Sequence, residues 1–221
     1  MKLFASAVIK FLLGALLVGL LIFLPAGTVH FPYGWLFMGL LFIPMFAAGL
    51  VMLWKSPKLL EKRLDVKEKQ ATQKGVLAFS GLIFLAGFIL SGLDYQFGWS
   101  KMSGWVTVTA SVVFLAAYGL YAEVLRENAY LSRTVKVEEG QQVVDTGLYG
   151  IVRHPMYAAT ILLFTAMPLI LGSWYGLIPF AFYPVIIVIR LQNEEELLTR
   201  ELPGYDAYKK KVKYRLFPFI W

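Results

Sequence analysis

A short polar motif in the C-terminal half of the chain has the residue types that bind an anion. The motif is Arg153-His154-Pro155-Met156-Tyr157, and an apolar run follows it. Proline is favoured in the first turn of a helix, where its missing N–H is no loss, so the motif predicts a helix that begins at Pro155. Unpaired N–H groups at a helix start, beside Arg153 and His154, favour a negatively charged ligand. On spacing alone, a positively charged flank of a membrane span is the simpler explanation.

A second polar cluster, Arg190 with Glu194, Glu195 and Glu196, lies where another apolar run ends. On a helix, Arg190 and Glu194 are four residues apart and therefore share a face. A solvated helix end with a snorkelling arginine would also explain the cluster. Ionisable residues at the edge of a span are costly unless they are paired, and those that face a bundle are usually functional. We therefore favour a functional role for this cluster.

Helix geometry should bring the two clusters together. The apolar segments 156–172 and 175–191 are separated only by Gly172, Ser173 and Trp174, which predicts a tight helical hairpin. Each arm of about 17 residues is about 26 Å long, so the chain crosses a bilayer and returns. The second cluster should therefore reach the same surface as the first.

The composition indicates that these helices lie in a membrane. Of the 221 residues, 58% are hydrophobic and 16% are charged, and the mean hydropathy is +0.65. Soluble domains carry about 25% charged residues, so we predict an all-α, polytopic transmembrane bundle. The first apolar segment lacks an obvious cleavage site and is expected to be a retained span rather than a signal peptide. Six spans are predicted, at 8–24, 34–54, 76–93, 104–125, 156–172 and 175–191.

The distribution of basic residues predicts the orientation of the bundle. Of the 21 Lys and Arg residues, all but Lys101 fall at one face if both termini are cytoplasmic. By the positive-inside rule this favours an N-in, C-in topology with both polar clusters in the cytoplasm. The net charge of +7 then reflects topology, and no nucleic-acid partner is expected. Residues 55–75 mix charges of both signs and are predicted to be a solvated loop near anionic headgroups.

Several classes of function are disfavoured by what the sequence contains. The absence of cysteine excludes a disulfide framework, a thiolate metal site and a cysteine nucleophile. His30 and His154 are too far apart in sequence to indicate a metal cluster, so no metal site is expected. A small transporter would need ionisable residues in mid-span, and Glu123, near a span end, is the nearest case. An enzyme is therefore favoured over a transporter or an assembly factor.

Three motifs follow one another in the C-terminal half. They are Gly147-Leu-Tyr149-x3-Arg153-His154-Pro155-x-Tyr157, Arg190-x3-Glu194-Glu195-x2-Leu198 and Pro203-Gly-Tyr205-x2-Tyr208. In this order they resemble the isoprenylcysteine carboxyl methyltransferase family, whose wider set includes phospholipid methyltransferases. The resemblance implies N-terminal transmembrane helices over residues 1–125 and a catalytic methyltransferase region over residues 126–221.

That family consists of integral-membrane enzymes that use S-adenosyl-L-methionine without a dinucleotide-binding fold, and this chain has no Gly-rich strand-to-helix loop. The resemblance implies a cytoplasm-facing cofactor pocket that the C-terminal segment closes. It implies that Arg190 faces the methyl acceptor. The implied cofactor-binding residues are Gln141, Gln142, Val143, Val144, Tyr149, His154, Pro155, Met156, Tyr157 and Glu194.

The chemistry of S-adenosyl-L-methionine agrees with these implied roles. Glu194 suits its ammonium group, while His154 and the N–H groups of the helix start suit its carboxylate. Tyr149 and Tyr157 could cover the adenine and the cationic sulfonium.

The methyl acceptor should be lipophilic, because the site lies at the edge of the bilayer among membrane lipids. The resemblance implies a carboxylate acceptor, which needs no base because its reference pKa of about 4 leaves it ionised. Arg190 could orient it bidentately, and Glu194 or Glu195 should hold the guanidinium in turn. An amine acceptor, as in phospholipid N-methylation, would need a base, for which His154, Glu195 and Glu196 are candidates.

A different enzyme class has a similar Arg-His-Pro segment. Membrane steroid reductases, which use NADPH, usually follow it with Asn-Tyr and an acidic residue. Here Met156-Tyr157-Ala-Ala-Thr has none, which lowers this alternative without removing it.

The C-terminal segment allows two interpretations. After a break at Leu202-Pro203-Gly204, Tyr205, Tyr208 and Val212 recur at helical spacing. The nearby lysines 209, 210, 211 and 213 suit anionic headgroups. The segment is predicted to be a surface anchor, a lid over the cofactor, or both.

Overall fold

The computed structural model describes residues 2–64, 71–131 and 137–221, and these residues are helical with no strand. The first part contains α1 (Lys2–Ala26), α2 (Pro32–Lys55), α3 (Pro57–Leu64), α4 (Ala71–Phe97) and α5 (Gly104–Glu127). The second part contains a 3₁₀ turn (Gly147–Gly150), α6 (Pro155–Ile170), α7 (Trp174–Phe180), α8 (Tyr183–Glu201) and α9 (Tyr205–Lys211). The predicted all-α fold is therefore confirmed for the described residues.

The long helices are apolar enough to cross a membrane. Five segments meet this description: Leu3–Ala26, Pro32–Lys55, Gln73–Phe97, Gly104–Glu127 and Trp174–Glu201. α6 is also apolar but has only 16 residues, which span about 24 Å and fall short of a hydrocarbon core of about 30 Å. The count of six spans and the N-in, C-in orientation stay predictions.

The predicted tight turn between the last two apolar segments is present. α6 begins at Pro155, as its missing N–H favours, and ends before Gly172. Gly172 adopts a left-handed backbone conformation (φ 76°) that side chains disfavour. The Ser173 hydroxyl then accepts a hydrogen bond from the Gly176 N–H and caps α7. Only three residues, 171–173, therefore separate α6 from α7.

The second arm of the hairpin is not the single helix that was predicted for 175–191. The chain turns at residues 181–182, between α7 and α8. Pro184 explains the break, because it has no N–H to donate to the carbonyl of Phe180 and its ring would clash there. α8 then continues to Glu201, so the polar cluster around Glu194 lies on a rigid helix rather than at a frayed span end.

Residues 55–75 are also not simply a solvated loop. Pro57–Leu64 form α3, whose Leu60 is buried, and α4 already begins at Ala71. The Lys62 ammonium lies 2.5 Å from the Glu138 carboxylate, and the Arg63 guanidinium lies 5.2 Å from the centre of the Tyr121 ring. α3 is thus docked against the segment that precedes the candidate site. The remaining part of the prediction, residues 65–70, lies outside the described residues.

Aromatic side chains fill the centre of the bundle. Phe84 of α4 meets Phe164 of α6 edge-on at 4.7 Å between ring centres, and it meets Phe180 of α7 at 5.3 Å. Such pairs contribute about 0.5–1.5 kcal/mol each beyond the area they bury. These directional contacts hold α4, α6 and α7 in one orientation relative to each other. Burial of apolar surface, which has no direction, would not select that orientation by itself.

Sequence reasoning missed a buried carboxylate near the C-terminal end of α4. Asp94 is 2% exposed and accepts hydrogen bonds from Ser100 N (2.6 Å), Ser100 Oγ (2.6 Å) and Ser173 Oγ (2.5 Å). Glu123, in contrast, forms an exposed ion pair with Arg126. Asp94 is therefore the more enclosed of the two, and it joins the segment after α4 to the turn between α6 and α7.

Candidate active site

A cavity lies at the other end of α6, where that helix begins. Its empty volume is about 490 Å³, a figure that includes open solvent at its mouth. The segment before the 3₁₀ turn, the start of α6, the end of α8 and the start of α9 enclose it. The lining residues are Leu131, Gln141, Gln142, Val143, Val144, Tyr149, Arg153, His154, Met156, Tyr157, Glu194, Leu198, Leu202, Tyr205 and Tyr208.

Most of the residues predicted for the site lie together around this cavity. Pro155 is an exception, because it is fully buried at the first position of α6. Arg190 is the other, one helical turn before Glu194 and against Tyr157. The predicted residues that line the cavity are Gln141, Gln142, Val143, Val144, Tyr149, His154, Met156, Tyr157 and Glu194. What each one binds stays a prediction.

Tyr157 connects the two charged residues that were predicted to act on cofactor and acceptor. Its hydroxyl donates a short hydrogen bond to Oε2 of Glu194 and accepts one from Nε of Arg190 at 3.1 Å. Tyr157 is 3% exposed, so both bonds are shielded from water. The expected support of Arg190 by Glu194 thus exists through the tyrosine hydroxyl.

Glu195 points to a different set of partners. Its Oε1 accepts from Arg153 Nε at 2.6 Å and lies 3.3 Å from His154 Nε2, and its Oε2 accepts from Arg215 Nε at 3.0 Å. Glu195 and Arg153 are 7% and 8% exposed. We call Arg153, His154, Glu195 and Arg215 the clasp, because they join α6, α8 and the C-terminal segment. Sequence reasoning missed Arg215 as a partner.

The backbone at the start of α6 is also occupied by the C-terminal segment. Arg153 N donates to Tyr214 O and His154 N donates to Arg215 O, both at 2.9 Å. The prediction that N–H groups at this helix start bind an anionic ligand is therefore wrong for these two residues. An anion in the cavity would be received by the side chains that line it, among them Arg153 and His154.

The 3₁₀ turn that carries Tyr149 is fixed by the end of α5. The Glu127 carboxylate accepts from Leu148 N at 3.0 and 3.2 Å, and Asn128 Nδ2 donates to the Tyr149 hydroxyl at 3.1 Å. Gly147 is required there, since its φ is 51° and a side chain would run into the Glu127 carboxylate. Glu127 and Asn128 are positioning residues that sequence reasoning missed, and nothing in their local pattern distinguishes them from an ordinary helix end.

The segment with Gln141 to Val144 is held from the other side by α3. Lys62 bonds to Glu138, and Glu138 N donates to the side-chain oxygen of Gln141 at 2.9 Å. Lys62, one of the charged residues of the segment 55–75, therefore supports the wall of the cavity through Glu138 and Gln141.

α9 forms part of the cavity wall through Tyr205 and Tyr208. Tyr205, Tyr208 and Val212 are each at most 5% exposed and pack with Val143 and Leu198. The Tyr208 hydroxyl donates to the Tyr149 carbonyl at 2.7 Å. The lysine side chains of the same helix stay at the surface, where Lys211 pairs with Asp145 at 2.6 Å, so the anchor interpretation also remains open.

One polar atom of α9 has no partner among the described residues. The Tyr205 hydroxyl is buried and makes no hydrogen bond with any described part of the chain, although Tyr205 lines the cavity. Burial raises the pKa of Tyr205, and likewise those of Tyr149 and Tyr208. All three hydroxyls therefore stay protonated at neutral pH, and that of Tyr205 can bond to a ligand.

Two comparisons with known proteins bear on this site. The model of the phospholipid methyltransferase (PEMT) family matches residues 103–204, from the start of α5 to the residues before α9. Delta(14)-sterol reductase TM7SF2 of Mus musculus is 27% identical over 92 residues, which make up 40% of this chain and 22% of the mouse protein. This chain therefore matches about a fifth of that relative.

The family match contains the start of α6, the 3₁₀ turn and Glu194, and it excludes Tyr205 and Tyr208. The comparison and the apolar helices together support a membrane methyltransferase. They do not distinguish the isoprenylcysteine carboxyl methyltransferases within the wider group, so that narrower resemblance stays a prediction.

Proposed function

We propose that this protein transfers a methyl group from S-adenosyl-L-methionine to the carboxylate of a lipophilic acceptor at the cytoplasmic face of the membrane. The observation that carries the proposal is the juxtaposition in one cavity of Glu194 with four tyrosines, of which Tyr205 has a buried hydroxyl without a partner among the described residues. A zwitterionic, aromatic cofactor with a sulfonium requires a similar combination of charge, aromatic surface and hydrogen-bond donors.

The residues present fit this cofactor. Glu194 offers an anionic oxygen for the ammonium group, and the Arg153 and His154 side chains offer positive charge or N–H donors for the carboxylate. Tyr149, Met156 and Leu198 provide apolar surface for the adenine. The Tyr205 hydroxyl would gain a partner that the described part of the chain does not supply.

The acceptor would approach from the membrane side of Tyr157. Arg190 lies there on α8, next to Ile189 and five residues after Val185, both of which have exposed apolar side chains. A guanidinium at the edge of an apolar face suits a molecule with an anionic head and an apolar tail. Arg190 would orient the carboxylate, while its bond to Tyr157 fixes the direction of the guanidinium.

The chemistry then needs positioning rather than proton transfer. S-adenosyl-L-methionine supplies an electrophilic methyl group, which a carboxylate oxygen takes with its own lone pair while the S–CH3 electrons return to sulfur. An ionised carboxylate has no proton to lose, so no side chain needs to act as a base. Tyr157 couples the two binding sites, because its hydroxyl bonds to Glu194 on one side and to Arg190 on the other.

The proposal can be tested with purified protein in lipid nanodiscs and S-adenosyl-L-methionine that carries a radioactive methyl group. The carboxylate probe is N-acetyl-S-farnesyl-cysteine, and the amine probe is phosphatidylethanolamine. We expect label in the farnesylated probe that alkali releases as methanol, as an ester does. Label that enters only phosphatidylethanolamine and resists alkali would replace the carboxylate by an amine, and transfer to neither probe would contradict the proposal.

A second function is favoured by the likeness to the mouse sterol reductase. An NADPH-dependent reductase would place a dinucleotide, with several phosphate charges, in the same cavity. The basic and acidic side chains that line the cavity, among the described residues, are Arg153, His154 and Glu194, and the first two already contact Glu195. This balance suits a zwitterion better than a polyanion, and NADPH binding with no S-adenosyl-L-methionine binding would reverse the preference.

A further inference from the structure

Residues 215–221, which we call the C-terminal loop, carry two adjacent apolar side chains that are mostly exposed, although the Phe219 ring lies 5.2 Å from the Tyr214 ring, measured between ring centres. Phe219 is 88% exposed and Ile220 is 79% exposed, whereas Leu216 in the same loop is 6% exposed. Large apolar side chains that stand together at a surface usually mark a contact with a partner or a membrane.

The loop is an ordered turn and not a frayed end. The Trp221 carbonyl accepts from Arg215 N at 2.7 Å and from Leu216 N at 3.4 Å, and the Arg215 guanidinium lies 4.6 Å from the centre of the Trp221 ring. Phe219, at the tip, has a φ of 65°, which a bulky side chain rarely adopts. The chain thus maintains a strained conformation in which this ring points outward.

The position of the loop relative to the apolar helices bears on which partner it contacts. Leu216 belongs to the buried cluster that also contains Tyr157 and Leu191 of the apolar helices. The Arg215 carbonyl accepts from His154 N, one residue before α6 begins. The loop therefore lies beside the bundle at the level of the first turn of α6, at one end of the apolar helices.

The charges around the loop fit the same partner. Lys210 and Lys213 are exposed in the segment that leads to it, and basic side chains at this level attract anionic headgroups. An apolar tip with lysines behind it is the arrangement of a membrane-interface anchor.

We propose that the C-terminal loop inserts Phe219 and Ile220 into the cytoplasmic leaflet, at the boundary between headgroups and acyl chains. Because Arg215 in this loop bonds to Glu195, insertion also holds the clasp in place beside the cavity. On this proposal the C-terminal segment is anchored to the membrane surface mainly by the apolar tip at Phe219 and Ile220, and not mainly by the lysines of α9.

The chain contains no cysteine, so single cysteines can carry a fluorescent label at chosen positions. The test uses Phe219→Cys and Ile220→Cys, each labelled with bimane in vesicles of phosphatidylcholine and phosphatidylglycerol. Leu16→Cys, on the exposed apolar face of α1, is the lipid control, and Glu139→Cys, in an exposed turn, is the aqueous control. Quenching is measured with nitroxide-labelled lipid and, separately, with a water-soluble nickel chelate.

We expect the labels at 219 and 220 to lose fluorescence to the lipid nitroxide and to resist the nickel chelate, as at position 16. A blue shift of emission should accompany this relative to position 139. Behaviour like that of position 139 would overturn the proposal. Excimer formation by pyrene at position 220 would also overturn it, because a second copy would then cover the tip. Far-ultraviolet circular dichroism confirms that each variant keeps its helices, and neither measurement depends on the cofactor or on methyl transfer.

Discussion

Tyr157 is the residue that makes the two charged side chains of the candidate site act together. Its hydroxyl is both the donor to Glu194 and the acceptor from Arg190. A change at either charged residue therefore alters the orientation of the other through one shared atom. Effects of double substitutions among these three residues should be non-additive for this reason.

Arg190→Lys tests the role of Arg190 toward the acceptor. Lysine keeps the positive charge but cannot bond to Tyr157 and present a fork to a carboxylate at the same time. We expect kcat to fall about 10- to 100-fold, as for the loss of a charged hydrogen bond, while the Kd for S-adenosyl-L-methionine changes little. Arg200→Lys, on an exposed part of the same helix, is the control. An unchanged kcat would remove Arg190 as the guide of the acceptor.

Tyr205→Phe and Tyr208→Phe form a matched pair on α9. The Tyr205 hydroxyl has no described partner, so its removal should leave the free energy of unfolding unchanged or slightly raised. The affinity for S-adenosyl-L-methionine should fall about tenfold, which corresponds to one hydrogen bond of about 1.4 kcal/mol. The Tyr208 hydroxyl bonds to the Tyr149 carbonyl, and its removal should cost about 1 kcal/mol of stability.

These two variants are compared by chemical denaturation and by calorimetric titration. Equal cofactor affinity in Tyr205→Phe and wild type would show that the buried hydroxyl does not meet the cofactor. A stability loss in Tyr205→Phe as large as that in Tyr208→Phe would show that the chain itself satisfies this hydroxyl.

At the scale of elements, the clasp joins α6, α8 and the C-terminal segment through one carboxylate. Glu195→Gln removes the negative charge that faces Arg153, which is 8% exposed. Leaving such a cation unpaired typically costs about 3–5 kcal/mol. We expect a loss of stability of this order and faster amide hydrogen exchange at residues 212–215. Glu196→Gln, one exposed position along α8, should change neither quantity.

The clasp interpretation would be contradicted if Glu195→Gln kept both the stability and the exchange rates of the wild type. An effect on S-adenosyl-L-methionine affinity without an effect on stability would instead place Glu195 in the ligand site itself.

Some elements could be predicted from local pattern and others could not. Pro155 after a polar motif indicates a helix start by its own chemistry, and α6 begins there. The break between α7 and α8 depends on Pro184, which also suits a helix start and was not recognised inside an apolar run. α3 was missed because its eight residues have little apolar content and are stabilised by contacts distant in sequence, such as Lys62 with Glu138.

At the scale of the whole molecule, the predicted orientation in the membrane depends only on how the basic residues are distributed between the two ends of the bundle. Lys101 lies in the exposed connection between α4 and α5, and Glu139 lies at the end with the cavity. In intact cells, a membrane-impermeant maleimide should label Lys101→Cys, and it should label Glu139→Cys only after permeabilisation. The absence of other cysteines makes each label unambiguous. The reverse pattern would overturn the N-in, C-in topology.

The site could be predicted from sequence as far as helix geometry and resemblance extend. The hairpin returns Glu194 to Tyr157, and both line one cavity. The pairing of Glu195 with Arg215 and of Leu148 with Glu127 could not be predicted, because each joins residues 20 or more positions apart without a repeating pattern. Only the packed structure shows which carboxylate supports the fold and which faces the cavity.

The central claim is that the cavity binds S-adenosyl-L-methionine through Glu194, and calorimetric titration of the purified protein tests it most directly. Wild type should bind S-adenosyl-L-methionine and not NADPH. Glu194→Gln should bind it about 10- to 100-fold more weakly, since a charged hydrogen bond is lost, while Glu196→Gln should bind it like the wild type. Binding of NADPH alone, or equal affinity in Glu194→Gln and wild type, would contradict the account.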